Sequence, residues 1–257
     1  MMLGYTLISG YCDHPLHDGI PSLEFYEQYW KPNVLSHTAA PNVYVVSTEK
    51  VPLSGSFNWV NLEYNLGHNA VSSVGKLITT GIAAGSAQLL TGAMIAYQRR
   101  QDMIYQEQDC LLFGDCIGQL YREVGDKGGV MGRVNRGGAA DSLSANSLLL
   151  IKHEFLLDFI KFYLTFARNE KQAGMEPERT MEKIRDMGHL AVMSFGYDRT
   201  RVEPFDIRTP CYYQQLKRAE LKVLYESRPE SFGFTHTNSS GTDGLCGGSG
   251  DDNLSQI

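Results

Sequence analysis

The segment Leu89–Gly114, LLTGAMIAYQRRQDMIYQEQDCLLFG, carries the clearest indication of the fold class. Its first part is rich in Ala, Leu and Met and ends in paired arginines, which predicts a helix over Ala83–Arg100 whose final turn suits cations. The apolar run Asp102–Gln106 then predicts a buried strand. Two acidic residues, Glu107 and Asp109, interrupt the buried pattern where that strand ends. A helix that leads into a buried strand is one unit of an alternating α/β chain.

Alternating elements continue on both sides of this segment. Short β-rich runs predict further strands at Gly4–Tyr11, Asn42–Thr48, Trp59–Tyr64, Ser147–Ile151 and Leu190–Phe195. Apolar residues at helical spacing predict helices at Ser22–Trp30, Cys116–Val124, Glu154–Arg168, Glu178–Met187 and Arg218–Tyr225. We expect the first of these helices to end near Pro32, and we expect the glycine-rich segment Gly125–Ala140 to be a mobile loop and a candidate lid.

This alternation predicts the α/β class, with a mainly parallel central sheet that carries helices on both faces. We expect a single domain over residues 1–232, since no internal repeat is visible. Residues 233–257 are dominated by Gly, Ser, Thr, Asp and Asn, which bury too little apolar surface to offset the entropy of ordering. We therefore predict a disordered tail over 233–257.

Composition and charge restrict the class of function and the compartment. A formal net charge of -6 and a pI near 5.6 argue against a basic surface for nucleic acid. The five cysteines include no CxxC pair, which favours a reducing compartment and argues against structural zinc. The weakly polar stretch Leu77–Tyr97 carries too many polar side chains for a transmembrane segment, and no secretory signal is evident. We expect a cytoplasmic protein.

Glu107 and Asp109 have two interpretations on their spacing alone. In an extended chain, residues two apart point to the same side, so both carboxylates could converge on one divalent cation. Hard cations prefer oxygen ligands and share them with substrate phosphates, and a bound metal stabilises a diphosphate leaving group by several kcal/mol. The alternative is a solvated turn after a strand, which the ExD spacing by itself favours.

Other segments combine residue types that suit catalysis or anion binding. Lys152, His153 and Glu154 join a cation, a proton carrier and an acid, although surface charges at a strand end explain them equally well. In SFGYDRTR, two arginines could clamp a diphosphate beside an acid, or the segment could be a polar loop with ion pairs. The sequence contains no GxSxG, HExxH, Walker A or GxGxxG motif, which disfavours serine hydrolases, zinc proteases, P-loop kinases and Rossmann dehydrogenases.

The order of these segments resembles the GT-A glycosyltransferases, in which a small-residue helix, a strand and a DxD-type acidic motif follow one another. Glu107 replaces the first Asp of that motif. NVYVVST followed by VNLEYNLGHN resembles the early nucleotide-binding strands, and NSLLLIKHEFLLDFIKFYL with SFGYDRTR resembles the acceptor side of GT-A-like bacterial and viral proteins. The resemblance spans Tyr5 to Leu216 and implies a GT-A-like single domain.

The resemblance implies a glycosyltransferase that moves a sugar from a nucleotide-diphosphate sugar to a hydroxyl of a glycan, lipid or protein acceptor. It implies that Glu107 and Asp109 hold Mn²⁺ or Mg²⁺. For an inverting reaction it implies a carboxylate general base, for which Asp198 and Glu154 are the candidates. The donor contacts that it implies are Ser9, Gly10, Tyr11, Asn65, His68, Arg199 and Arg201.

Two other functions remain open on the sequence. A nucleotidyltransferase of related fold normally has a Gly-rich, basic loop after its first strand, and the corresponding segment here, SGYCDHPLHDG, lacks Lys and Arg. A sugar-nucleotide-binding protein without catalysis would keep the fold, and donor binding without hydrolysis or transfer would identify it.

Overall fold

The structure is a computed structural model that describes residues 4–11, 16–47, 57–62, 84–133, 144–169, 177–193, 196–198, 212–214 and 216–233. Its strands are β1 Tyr5–Tyr11, β2 Val43–Ser47, β3 Asn58–Asn61, β4 Asp102–Gln106, β5 Cys110–Leu112, β6 Gly129–Arg133, β7 Ser144–Ile151, β8 Leu190–Met193, β9 Gly196–Asp198 and β10 Tyr212–Gln214. Its α-helices are α1 Ser22–Phe25, α2 Lys31–His37, α3 Ala84–Gln98, α4 Cys116–Val124, α5 Leu156–Asn169, α6 Pro177–Asp186 and α7 Arg218–Ser227. A π-helical turn, Tyr26–Trp30, joins α1 to α2.

Seven of the described strands form the main sheet in the order β3-β2-β1-β4-β7-β6-β8. Within it, β7 is antiparallel to both of its neighbours, and every other pair of neighbours is parallel. The chain moves outward from β1 to β2 and β3 and then returns to the other side of β1 as β4. The predicted α/β class with a mainly parallel sheet is confirmed.

Both faces of this sheet are covered. Successive residues of a strand point to opposite faces, so Leu7 and Ile8 of β1 enter different parts of the core. Ile8 packs in a cluster with apolar residues of α3, α5 and α6. Leu7 packs in a second cluster with residues of α2 and α7, and Ile104 of β4 packs in a third with residues of α4. The predicted helices on both faces are confirmed, and none of the described helices is long and apolar enough to cross a membrane.

A smaller sheet, ordered β5-β10-β9, lies beside the main one. β5 pairs antiparallel with β10, and β10 pairs parallel with β9. Tyr212 of β10 is wholly buried, and its hydroxyl oxygen would lie 2.5 Å from a Cβ on Gly132 of β6. Because glycine has no Cβ, the ring of Tyr212 packs directly on the main sheet at that point.

The prediction of a mobile loop over Gly125–Ala140 was wrong for its first part. Residues Gly129–Arg133 form β6, an interior strand that is hydrogen-bonded to β7 on one side and β8 on the other. Glycine weakens strand propensity, so the local sequence gave no strand signal. Pairing on both sides overrides that preference, while residues 134–143, the rest of the predicted loop, lie outside the described residues.

The first helical region also differs from its prediction. Instead of ending near Pro32, it continues through the π-helical turn into α2 and ends at His37. Pro32 lies in the first turn of α2, where a proline is tolerated. The predicted disordered tail over 233–257 lies outside the described residues except for Gly233.

The side chain of Asn33 in α2 hydrogen-bonds the backbone of β5 on the side that faces away from β10. Its Nδ2 donates to the carbonyl oxygens of Leu112, at 2.7 Å, and Ser231, at 2.9 Å. Its Oδ1 accepts a hydrogen bond from the Leu112 N–H at 2.8 Å, and the side chain is wholly buried. The amide therefore makes both hydrogen bonds that a neighbouring strand would make with Leu112, and it fixes β5 against α2.

We expect Asn33→Ala to lower the free energy of unfolding by about 3 kcal/mol, because it leaves buried backbone groups of Leu112 and Ser231 without this partner. Urea unfolding measures the change. The control is Lys161→Ala, which breaks an exposed ion pair with Asp158 and should cost less than about 0.5 kcal/mol. Equal losses in the two variants would show that the Asn33 amide does not anchor β5.

Candidate functional site

The candidate site lies where the order of strands in the main sheet reverses. β1 and β4 are parallel neighbours, and the chain leaves β1 toward one edge of the sheet but enters β4 on the other side. In open α/β sheets, the crevice at the carboxyl ends of two such strands is the usual ligand site. Here it is bordered by Ser9–Tyr11 at the end of β1 and by Glu107–Asp109 after β4.

The acidic residues lie in a hydrogen-bonded turn, which we call the acidic turn, Glu107–Cys110. The Glu107 N–H donates to the Ser147 carbonyl of β7 at 2.8 Å, and the Cys110 N–H donates to the Glu107 carbonyl at 3.1 Å. The prediction of an extended chain at Glu107–Asp109 was wrong, because these residues lie in a turn. The turn still carries both half-buried acids, Glu107 and Asp109, within one short segment.

Gln106, the last residue of β4, joins the two ends of the acidic turn through its side chain. Its side chain is wholly buried, and its Nε2 donates to the Cys110 carbonyl at 2.7 Å. The side-chain amide therefore bridges the two ends of the turn. A glutamine ends the apolar run that forms β4, but the sequence alone does not show that its side chain binds the backbone of the turn.

A neighbouring acid, Asp115, belongs to a helix rather than to the crevice. Its carboxylate accepts the Gly118 N–H at 3.1 Å and so caps α4. It also accepts a 2.8 Å hydrogen bond from Arg122, which holds the pKa of the Asp115 carboxyl below its usual range. The Asp115 carboxylate therefore interacts with residues of α4.

The end of β1 is held by close packing against α3. The Gln88 Nε2 donates a long hydrogen bond, 3.4 Å, to the Tyr11 carbonyl. A Cβ on Gly10 would lie 2.0 Å from the Gln88 Oε1, so this approach requires glycine at position 10. The Ser9 side chain is buried, and its Oγ donates to the Gly10 carbonyl at 3.2 Å.

The Tyr11 side chain belongs to a buried aromatic cluster. Its ring makes edge contacts with Tyr26, at a centroid distance of 5.8 Å, and with Trp59, at 6.1 Å. Burial raises the pKa of the Tyr26 hydroxyl, so that group stays neutral at physiological pH. The Tyr11 ring is therefore part of the core, and only 1% of its possible surface is exposed to solvent.

Strand register brings Asp198 toward the acidic turn. Across the smaller sheet, Cys110 of β5 is paired with Gln214 of β10, and Gln214 is paired with Asp198 of β9. Strands in a sheet are about 4.8 Å apart, so the backbone of Asp198 lies roughly 10 Å from that of Cys110. Cys110 directly follows Asp109 in the chain.

Glu154 lies at the opposite edge of the main sheet. Because β7 is antiparallel to β4, its last residue, Ile151, pairs with Met103 near the start of β4. The N–H of His153 donates to the Oδ1 of Asp102, the first residue of β4, at 2.8 Å. The length of β4 separates this edge from the acidic turn by about 16 Å. Glu154 is therefore not part of the candidate site.

Four implied donor contacts, Asn65, His68, Arg199 and Arg201, lie outside the described residues. Within the part of the chain that the structure describes, no three His, Cys, Asp or Glu side chains are grouped as a complete metal site. The two acids of the acidic turn, Glu107 and Asp109, are hard oxygen donors, and they suit a cation that takes its remaining ligands from phosphate and water.

A surface pocket of about 360 Å³ lies elsewhere, against α2. It is lined by Glu27, Lys31, Pro32, Leu35, Ser36, Phe232 and Gly233. None of these residues belongs to the end of β1 or to the acidic turn. The position of the candidate site therefore rests on strand topology and on the acidic turn.

Comparison with known proteins identifies the fold. No family model and no curated protein matches the chain. The structure of an active-site mutant of LgtC is similar over 86% of this chain and 95% of its own, with 12% identity and a TM-score of 0.51. The apo form of the glycosyltransferase GlyE from Streptococcus pneumoniae TIGR4 is similar over 90% of this chain, with 10% identity and a TM-score of 0.53.

This chain spans 60% of the GlyE chain. At these identities the likeness shows the fold alone. The predicted GT-A-like fold is confirmed, with the mixed seven-stranded sheet and the smaller sheet described above.

We expect Gly10→Ala to lower the free energy of unfolding by about 2 kcal/mol, because the new methyl group displaces the Gln88 amide. In the double variant Gly10→Ala/Gln88→Ala, the atoms that approach the new methyl group most closely are removed. In a double-mutant cycle measured by urea unfolding, the double variant should therefore lose at least about 0.5 kcal/mol less free energy of unfolding than the sum of the two single variants. Strict additivity would show that Gly10 and Gln88 are not coupled.

Proposed function

We propose that the protein is a glycosyltransferase that binds a nucleotide-diphosphate sugar in the crevice between β1 and β4. The observation that carries the proposal is the acidic turn, which lies at the reversal of strand order in a GT-A-like fold. GlyE is a glycosyltransferase, and LgtC is a galactosyltransferase. The acceptor is a hydroxyl group of a glycan, lipid or protein, and the reaction takes place in the cytoplasm.

The donor lies along the end of β1, with its diphosphate directed to the acidic turn. Ser9, Gly10 and Tyr11 form this border mainly through their backbone, since the side chains of Ser9 and Tyr11 are buried. Arg199 and Arg201 follow β9 in the chain and neutralise the diphosphate through forked hydrogen bonds. Asn65 and His68 contact the nucleotide or the sugar.

Glu107 and Asp109 hold Mn²⁺ or Mg²⁺. Two carboxylates in one short turn repel each other, and a divalent cation removes that repulsion while it leaves sites for phosphate oxygens. The bound ion would stabilise the negative charge that develops on the diphosphate as the sugar leaves. The residues of the turn position the donor so that the anomeric carbon faces the acceptor hydroxyl.

For an inverting reaction, Asp198 is the general base that takes the proton of the acceptor hydroxyl. The pairing of Cys110 with Gln214 and of Gln214 with Asp198 supports this role, because it keeps the backbone of Asp198 two strands away from the residue that follows Asp109. Glu154 is not proposed as the base, because it lies near the amino-terminal end of β4.

A thermal-shift screen tests the proposed function. The purified chain is heated with UDP, GDP, CDP and their sugars, each with and without Mn²⁺. A ligand that binds only the folded state at 100 times its Kd stabilises it by about 2.7 kcal/mol. We expect a metal-dependent shift with one nucleotide. No shift with any of them contradicts the proposal, and a shift without hydrolysis or transfer indicates a binding protein without catalysis.

We expect Asp109→Asn to weaken Mn²⁺ binding at least about tenfold, because a charged ligand is lost. Asp115→Asn is the matched control: it removes one negative charge from a nearby position and keeps a side chain that can cap α4. Isothermal titration with Mn²⁺ in the presence of the nucleotide measures both variants. Equal affinities in Asp109→Asn and the unsubstituted protein would remove Asp109 from the metal site.

We expect Asp198→Asn to lower kcat at least about 100-fold while KM for the donor stays within a few-fold, because a general base acts mainly in the transition state. Glu154→Gln should leave kcat within about twofold, since Glu154 lies at the opposite edge of the sheet. Initial rates of sugar transfer measure both. The reverse ranking of the two variants would contradict the assignment of the base.

A further inference from the structure

Gln106 occupies a position at which the fold favours an apolar residue. Residues two apart in a strand share a face, so Gln106 points to the same side of the main sheet as Ile104. Ile104 packs there in a core cluster with Cys110 and Leu148. Gln106 is wholly buried, and it places an amide group on a face whose neighbouring strand residues, Ile104 and Leu148, are apolar.

Protein stability alone does not explain this amide. Its Nε2 has a good acceptor in the Cys110 carbonyl, at 2.7 Å. Its Oε1 is buried and has no hydrogen-bond partner among the described residues. A buried polar atom without a partner costs about 1–3 kcal/mol, whereas an apolar side chain of similar shape avoids that cost. The hydrogen bond to the Cys110 carbonyl is therefore the interaction among the described residues that accounts for a glutamine at this position.

That hydrogen bond ties the acidic turn to a side chain of the main sheet. Two other hydrogen bonds of the turn join backbone groups, so they do not depend on particular side chains. They run from the Glu107 N–H to the Ser147 carbonyl and from the Cys110 N–H to the Glu107 carbonyl. The Cys110 carbonyl at the exit of the turn is held by Gln106. Without it, the carbonyl at the exit of the turn loses the hydrogen bond from Gln106, and the backbone between Asp109 and Cys110 is held less firmly.

We propose that Gln106 is a positioning residue, which holds Glu107 and Asp109 at the fixed separation with which they bind a divalent cation. This inference rests on the proposed function, because it assigns Gln106 to the same metal site. Gln106 acts through the backbone of the turn and does not itself touch the ion. Residues that orient metal ligands typically change metal affinity 10- to 100-fold when they are replaced, because the ligands lose their fixed geometry.

The test compares Gln106→Met with Thr6→Val in the full chain. Methionine has nearly the length of glutamine and no amide, so Gln106→Met removes the hydrogen bond and fills the space. Thr6 is also wholly buried, and its Oγ1 donates to the Gln101 Oε1 at 2.6 Å, near the opposite edge of the sheet. Thr6→Val therefore removes a buried hydrogen bond without touching the acidic turn.

Two measurements are made on each variant: hydrogen exchange at the Cys110 amide and Mn²⁺ affinity by titration. For Gln106→Met we expect the Cys110 amide to exchange about tenfold faster and Mn²⁺ to bind about tenfold more weakly. For Thr6→Val we expect both values to stay within about twofold of the unsubstituted protein, even where its stability falls. Faster exchange in both variants would indicate a general loss of stability and would overturn the inference.

Unchanged exchange at Cys110 in Gln106→Met also overturns it, whatever the metal data show. Faster exchange with unchanged Mn²⁺ affinity overturns the positioning role and leaves the metal site itself intact. If the unsubstituted protein binds neither Mn²⁺ nor a nucleotide, the proposed function fails and the role of Gln106 at a metal site fails with it. The exchange data then still report whether Gln106 closes the turn, so the two failures are distinguishable.

Discussion

The parallel hydrogen bonding between β1 and β4 is the constraint on which the rest of the structure depends. Residues Tyr5–Ile8 of β1 are in register with Asp102–Tyr105 of β4, so both strands end at the same edge of the sheet. The chain approaches these two strands from opposite sides, which leaves their carboxyl ends uncovered by a direct connection. The crevice and the acidic turn both follow from this pairing, because the acids come directly after β4.

Buried carboxamides keep the segments around the crevice in place. Asn33 binds both backbone groups of Leu112 in β5, Gln88 binds the carbonyl of Tyr11 at the end of β1, and Gln106 binds the carbonyl of Cys110 after the acidic turn. Each amide donates a hydrogen bond to a backbone carbonyl in a strand that borders or follows the crevice. A carboxamide suits this use because it donates and accepts without introducing a charge into the core.

Local patterns predicted much of the fold and less of the site. The bounds of β4 and α4 agree with their predictions, because a short apolar run and a regular amphipathic period carry their own signals. Strand β6 was missed because its glycines conceal a strand that exists through pairing with β7 and β8. The antiparallel direction of β7 has no local signal either. Glu154 was therefore predicted to lie with Glu107 and Asp109, which are at the opposite end of β4. The supporting amides were missed because a buried side chain that binds backbone cannot be recognised before the backbone path is known.

The measurement that tests the location of the site most directly is hydrogen exchange along the backbone, with and without UDP, GDP or CDP in the presence of Mn²⁺. We expect the nucleotide that binds to slow exchange at Ser9–Tyr11 and across the acidic turn. We expect no change at Lys152–His153, which lie at the opposite end of β4. Slower exchange confined to that opposite edge, or to the pocket against α2, would contradict the placement of the donor between β1 and β4.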